Sequence, residues 1–278
     1  MVILGDMTIE SAGANSLIQA GVGSGIVPSG GTVGLEVGGN IDFQRSQDTQ
    51  IMVHAPTGVD VVYGGSYSTS STGNLMVKAG RSIAPGSVDV TSYQSILADL
   101  SLKSNYWATL PANGVFTPAI QTPTQNKMIF SAGPDDDCLQ VFSLTMQELH
   151  SVTWGSDVYF DSSLDGKTIL INVQPEADGT SYLRYIGRFF DTQNQEGFNF
   201  DSGLKARILW NFAGSSLVTV GPENGAQLPG SILVPDGDLH FQWPGQVRHN
   251  VYQSIDSSKY RSYTHPLWSV AILRMDEP

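Results

Sequence analysis

Short apolar runs, each cut off by glycine or proline, constrain this chain more than any other feature. The clearest are Leu209-Trp210-Asn211-Phe212, Leu228-Pro229-Gly230-Ser231-Ile232-Leu233-Val234-Pro235 and Pro244-Gly245-Gln246-Val247. Runs this close together leave no room for a crossover helix between neighbours, so they are expected to stack as short strands. The C-terminal ladder reads Arg207–Phe212, Leu217–Val220, Ser231–Val234, Leu239–Gln242 and Gln246–Tyr252. Ile208, Trp210, Val218, Ile232, Val234 and Val247 are expected to point into one shared core, with Gly and Pro at the corners.

The first third has the same character. Met1–Leu4, Gly34–Val37, Ile51–His54, Asp60–Tyr63 and Leu75–Lys78 read as strands, separated by Gly30-Gly31, Gly38-Gly39, Gly64-Gly65 and Gly73-Asn74. Glycine supplies the positive φ that tight corners need, and the β-branched interiors suit strands. No spacing is strict enough to define a sequence repeat. Residues 88–110 differ. Tyr93, Ile96, Leu97, Leu100, Trp107 and Leu110 recur mostly at three- and four-residue intervals, with Ser95, Asp99, Ser101, Lys103 and Ser104 largely on other faces. This period predicts one amphipathic helix over about 89–109, capped by Asp89, Thr91 or Ser92 and ended by Pro111 and Gly114. Leu97 and Leu100 are expected to be buried against strands. Thr145 and Glu148 have capping-box spacing and predict a short helix over Thr145–His150. Asp157–Phe160 and Lys167–Val173 flank a Ser-Ser-Leu-Asp-Gly turn, read as a hairpin or a coil corner. No linker rich in Pro or charge interrupts the chain, which reads as a single domain over 1–278 with a divergent segment at 256–278.

Composition narrows function. Charged residues are only 14% of the 278 positions, well below the usual quarter, and glycine fills 30 of them. A turn-rich β protein with a neutral polar surface fits. The net charge of −12 repels phosphate backbones, which argues against nucleic acid and anionic membranes as partners. No stretch is apolar enough to insert in a bilayer. The single cysteine, Cys138, excludes an internal disulfide and reads as a buried small hydrophobe. No signal peptide precedes Ile3-Leu4-Gly5-Asp6.

Several runs, taken in order, resemble the choice-of-anchor A domain of secreted and surface-attached proteins. They are Leu4-Gly5-Asp6, Val37-Gly38-Gly39-Asn40, Tyr63-Gly64-Gly65, Val88-Asp89-Val90 and Leu110-Pro111-Ala112-Asn113-Gly114. Leu139-Gln140-Val141-Phe142, Thr168–Val173 and the three C-terminal runs quoted first complete the series. The segment Arg184–Phe200, the tail after residue 255, and Arg248-His249 depart from the pattern. That family is itself distantly similar to the β-solenoid ice-binding proteins. The resemblance implies a mostly β fold, a right-handed parallel β-solenoid (β-helix) with one long α-helix packed along its side. It implies an extracellular or cell-surface location, with targeting segments expected outside this chain, and a non-enzymatic adhesin-like role. The expected partner is a cell-surface, matrix, carbohydrate or crystalline surface ligand.

Candidate chemistry is sparse. Ice binding needs a regular Thr array, and Thr69, Thr72, Thr117, Thr122 and Thr124 are the nearest material, richest in Ser66–Thr72. Asp135-Asp136-Asp137 is the first choice for a calcium loop, since calcium takes carboxylate oxygens from Asp-rich turns. No other cofactor is implied. The five histidines show no metal-ligand spacing, and no nucleophile elbow or phosphate loop is present. A carbohydrate-active β-helix enzyme is the third reading; it would need paired carboxylates such as Asp236 and Asp238. For binding, the divergent end offers Trp243, Arg248, His249, Tyr263 and Trp268, because aromatic and Arg side chains carry most binding energy where they converge.

Overall fold

The computed structural model describes residues 2–3, 7–9, 16–20, 35–43, 49–53, 61–69, 75–77, 83–118, 127–135, 137–150, 156–183, 186–195, 202–220, 227–241, 246–248 and 251–253. The protein is mostly β, and the chain divides into two compact units, Met1–Ile96 with Asn250–Pro278, and Leu97–His249.

In the first unit the strands fall into three parallel sheets. Val2–Ile3, Leu35–Val37, Val61–Tyr63 and Ile83–Pro85 form one; Met7–Ile9, Ile41–Phe43 and Tyr67–Thr69 a second; Ser16–Ala20, Thr49–Val53 and Leu75–Val77 the third. The registers agree between sheets to within one residue. Val2 lies opposite Glu36 and Met7 opposite Ile41, each pair 34 residues apart, and Ser16 opposite Thr49, 33 apart. Leu35 lies opposite Val61, Ile41 opposite Tyr67 and Thr49 opposite Leu75, each pair 26 apart. The unequal displacements explain why no sequence repeat is visible. Five strands were not anticipated: Met7–Ile9, Ser16–Ala20, Ile41–Phe43, Tyr67–Thr69 and Ile83–Pro85. Tyr67–Thr69 lies inside the Ser/Thr-rich stretch Ser66–Thr72.

The paired glycines form stacked corners. The Gly64 and Gly65 N–H groups donate to the Val37 and Gly39 carbonyls at 2.9 Å each. A methyl added at Gly64 would lie 2.5 Å from the Gly38 carbonyl oxygen, and one at Gly65 would overlap the Asn40 amide oxygen. That oxygen accepts from the Ser66 backbone N–H at 2.8 Å and hydroxyl at 2.9 Å. The Val-Gly-Gly-Asn and Tyr-Gly-Gly runs are thus one corner built twice and laid on itself.

In the second unit Lys127–Ser131, Ser156–Phe160 and Ile186–Phe190 form a parallel sheet, with Val115–Thr117 antiparallel at its edge. Leu139–Thr145, Thr168–Gln174, Ile208–Asn211 and Ser231–Val234 form another parallel sheet. Thr180–Leu183, Leu217–Val220 and Asp238–Phe241 form a third, and Gln227–Pro229 pairs with Gln246–Arg248. The turn after Phe160 is a coil corner, not a hairpin: the strands on either side belong to different sheets, and a 3-10 turn at Ser162–Leu164 joins them. Ile208, Trp210, Val218, Ile232 and Val234 are all buried, as expected, while the Val247 side chain lies outside the described residues. Phe130 stacks on Phe160 at 5.3 Å and meets Phe142 and Trp210 edge-on. The buried Trp210 indole N–H donates to the Pro229 carbonyl at 2.9 Å, so this large ring contributes area without an unpaired donor.

The long helix spans Val90–Ala108. Asp89 caps it, accepting from the Ser92 backbone N–H at 3.0 Å and hydroxyl at 2.6 Å. Its seating differs from expectation. Leu97 and Leu100 are only half-buried, whereas Ser104 is fully buried. The Ser104 hydroxyl donates to Asn211 Oδ1 at 2.5 Å. Asn211 Nδ2 donates to the Ser104 carbonyl at 3.0 Å and to Asn172 Oδ1 at 2.8 Å, and Asn172 Nδ2 donates to the Trp107 carbonyl at 2.8 Å. A serine lets the helix approach closely, and two buried asparagines on adjacent strands bind it there. The short helix is Met146–Leu149, with the expected reciprocal box: the Glu148 N–H donates to Thr145 Oγ1 at 3.2 Å and the Thr145 N–H to Glu148 Oε2 at 2.7 Å. A further short helix, Ser202–Ala206, was not anticipated.

Candidate functional site

The Leu139–Thr145 sheet is largely buried on both faces, because the core lies on one side and the helix is bonded to the other through Asn172 and Asn211. The Lys127–Ser131 sheet is different. Its residues alternate between buried and half-exposed: Met128, Phe130, Val158, Phe160 and Phe189 are inside, while Lys127, Ile129, Asp157, Tyr159, Arg188 and Phe190 point away from the core. Strict alternation marks a sheet with one face on the core and one facing solvent.

Parallel register lines these residues up. Lys127 lies opposite Asp157, and Ile129 opposite Tyr159, which in turn lies opposite Phe190. The Tyr159 and Phe190 rings stack with centroids 4.4 Å apart and planes 3° from parallel. The Lys127 ammonium sits 4.5 Å from the centre of the Tyr159 ring, and the Arg188 guanidinium 5.2 Å from that of Phe190. Asp157 holds Arg188 by a two-point pair, Nη2 to Oδ2 at 2.7 Å and Nε to Oδ1 at 3.2 Å, and also accepts the Arg188 backbone N–H at 3.1 Å. Arg188 is therefore fixed on the surface rather than free to swing. Lys127 has no carboxylate partner among the described residues; its cation rests on the ring. With Asp157 committed to Arg188, the side offers ordered aromatic, cationic and hydroxyl contacts rather than a proton-transfer pair.

The residues anticipated from sequence fare unevenly. Trp243, His249, Tyr263 and Trp268 lie outside the described residues. Arg248 ends the strand Gln246–Arg248, opposite Pro229, and Gln227–Pro229 lies beside Ile186–Phe190. The Arg248 backbone thus falls on the same side of this unit as Tyr159 and Phe190. Of the acidic trio, Asp136 is outside the described residues, and Asp135 and Asp137 are exposed. Asp137 accepts from Asn113 Nδ2 at 3.1 Å, and its carbonyl accepts from Lys167 Nζ at 3.1 Å. Asp137 thus helps to hold Asn113, and a cation of the protein's own is bound to its backbone. Among the described residues, no group of three or more His, Cys, Asp or Glu side chains is placed to hold a metal ion. Cys138 is exposed, not buried, because the chain enters its edge strand only at Leu139.

Asn113 has its own task. Its Oδ1 accepts the Val141 N–H at 2.7 Å, its Nδ2 donates to the Leu139 carbonyl at 3.0 Å, and its backbone N–H donates to the Val141 carbonyl at 3.1 Å. The Leu-Pro-Ala-Asn-Gly run therefore covers the open edge of a sheet, a place where unpaired backbone groups invite association. The solvent-facing row Lys127, Ile129, Tyr159, Arg188, Phe190 was missed in the sequence. Its signal was there: Ile129 and Tyr159 fall in the solvent-facing phase of two period-2 strands.

A β-rich scaffold of mostly parallel sheets, one of which carries a part-exposed aromatic and cationic row among the described residues, is the class these observations define. The chain belongs to the family described as "Putative Ice-binding-like adhesive domain", which it matches over residues 1–253. The adhesin-like, ice-binding-like resemblance carried by the ordered motifs is that of this family. Neither the curated proteins nor the solved structures include a match to the chain. No helix among the described residues is long and apolar enough to cross a membrane.

Proposed function

We infer that this chain is a non-enzymatic adhesive module acting at a cell surface or in an extracellular matrix. The observation that carries the reading is the match to an adhesive family over residues 1–253. The uncovered side of the Lys127–Ser131 sheet supports it, since an adhesive module needs an ordered solvent-facing surface and Asp157 there is taken up by Arg188. The fold that fits is a right-handed parallel β-solenoid of choice-of-anchor A type, in a single domain over 1–278. Closely similar displacements in the first unit support it: its three sheets are revisited after 34, 34 and 33 residues and then after 26 in each, as in a chain that winds in coils. Stacked glycine corners and the asparagine ladder are what such coils require. The divergent residues Trp243, Arg248, His249, Tyr263 and Trp268 extend the contact surface in this reading, and Arg248 has a strand position consistent with that.

Binding to ice or another crystalline solid is the second reading, favoured by the family's ice-binding-like description. The described rows give it less support: Asp42, opposite Ser68, accepts that hydroxyl at 2.6 Å, so the row holds a charge and an internally used hydroxyl.

Purified chain should be tested for retention on immobilised matrix polymers, cell-wall preparations and ice, with reducing-sugar release and thermal hysteresis recorded in parallel. Retention on a solid without turnover is expected. Sugar release would overturn the non-enzymatic reading, thermal hysteresis would favour the second, and retention on none of them would end the adhesive one.

A further inference from the structure

The segment that covers the Leu139–Thr145 edge ends in Asn113-Gly114, a pair with an intrinsic chemical weakness. Glycine carries no Cβ, so its backbone nitrogen reaches the carboxamide of a preceding asparagine with little steric hindrance. Packing demands both residues. A methyl added at Gly114 would overlap the Phe142 ring, and the Asn113 carboxamide bridges to the strand at both Leu139 and Val141. Asn224-Gly225 is the other such pair in the sequence and lies outside the described residues.

We propose that Asn113 is a conformation-gated deamidation site, protected while its segment lies on the sheet edge and converted when that segment lifts. The reaction consumes water and no other reagent. The Gly114 nitrogen gives its proton to solvent base and attacks Cγ of Asn113. A C–N bond forms, the Cγ–Nδ2 bond breaks, and the amide nitrogen takes a proton from water and leaves as ammonia. Water then opens the cyclic imide at one of its two carbonyls, giving an aspartyl or an isoaspartyl linkage. In the folded chain every participant is engaged elsewhere. The Gly114 N–H donates to the Val141 carbonyl at 3.0 Å. The carboxamide accepts the Val141 N–H at 2.7 Å and donates to the Leu139 carbonyl at 3.0 Å and to Asp137 Oδ2 at 3.1 Å. Attack needs these bonds broken together, which is a local opening of the segment.

The product resists reclosure. A carboxylate sets an oxygen where Nδ2 donated, against the Leu139 carbonyl oxygen and the Asp137 carboxylate. Like charge and unpaired acceptors both oppose the old geometry. An isoaspartyl linkage also lengthens the backbone by a carbon and shifts Gly114 against Phe142. The Val141 N–H and the Leu139 and Val141 carbonyls are then left on an open strand edge, where pairing with a second copy of this chain satisfies them.

Peptide mapping by mass spectrometry follows conversion at Asn113 in the full chain, held in mildly alkaline buffer either folded or unfolded in urea. The folded chain should convert measurably but at least about tenfold more slowly, the effect of an opening that costs about 1.4 kcal/mol or more. Asp137→Ala removes an exposed acceptor and should speed the folded chain about two- to fivefold, the scale of one hydrogen bond, without changing the unfolded rate. Asn113→Asp, and aged wild type modified at Asn113 and isolated by anion exchange, should each melt at a lower temperature and elute earlier in size-exclusion chromatography. Equal folded and unfolded rates, no conversion of the folded chain while the unfolded chain converts fully, or an unchanged folded rate in Asp137→Ala overturns the gated site. Aged, modified chain that melts and elutes as fresh wild type overturns the opening of the edge, whether or not Asn113→Asp folds.

Discussion

Asn211→Ala probes the device that seats the helix. The side chain is fully buried, and its amide makes three bonds: from Ser104 Oγ at 2.5 Å, to the Ser104 carbonyl at 3.0 Å and to Asn172 Oδ1 at 2.8 Å. Truncation leaves the buried Ser104 hydroxyl and carbonyl and the Asn172 oxygen without these bonds. A buried polar group left unpaired costs about 1–3 kcal/mol, and the vacated volume adds a cavity term. The expected loss is about 3–5 kcal/mol, a large share of the ~5–15 kcal/mol that holds a typical domain together. Urea unfolding followed by circular dichroism measures it. Ser104→Ala removes one hydroxyl and should cost about 1–2 kcal/mol. The double variant should lose less than the two singles together, with a coupling of about 1 kcal/mol or more, because the residues bond directly. Leu100→Ala, at a half-buried position, should cost only about 1–2 kcal/mol, less than a core leucine. A loss below about 1 kcal/mol for Asn211→Ala, or strict additivity with Ser104→Ala, would refute the clamp.

Gly133→Ala should destabilise the fold by about 1–3 kcal/mol in a thermal melt, since the added methyl would overlap the Asn113 carbonyl oxygen and displace the segment that covers the Leu139–Thr145 edge; an unchanged melt would mean the edge segment yields freely. Asp161 is held below the ordinary carboxylate value, chiefly by the Ser163 backbone N–H at 2.9 Å and also by the Ser163 side chain. A depressed folded value stabilises the protein above the unfolded pKa of about 3.9 and is lost as pH falls through the folded value. Carboxyl NMR should show Asp161 titrating late on acidification, and Asp161→Asn should flatten the acid limb of stability; an ordinary titration would remove this account.

Much of the architecture was written locally. The helix period, the Thr145–Glu148 box and the first four strands of the C-terminal ladder depend on neighbours in sequence and appear within one or two residues of expectation, whereas the run read as one strand over Gln246–Tyr252 is two, Gln246–Arg248 and Val251–Gln253. Glycine pairs marked corners because backbone must approach backbone there. What was not legible depends on neighbours distant in sequence. Ser104 reads as a solvent-facing serine until Asn211, 107 residues away, is placed beneath it. Met7–Ile9 and Ile41–Phe43 are too short to show a period and are held by parallel partners 34 residues apart. The aromatic row was hidden for the same reason. Tyr159 and Phe190 become a pair only when register sets them opposite one another, and the attention drawn by Trp243 and Trp268 lay where residues are conspicuous in sequence rather than where a sheet is uncovered.

The adhesive reading is tested most directly by attachment under flow. The chain, displayed on an otherwise non-adherent cell, should raise the fraction of cells retained on a matrix-coated surface, and an excess of the soluble chain should return retention to the undisplayed level. Display at confirmed surface density with no gain in retention on any coating, or a gain that soluble chain does not compete away, would contradict it.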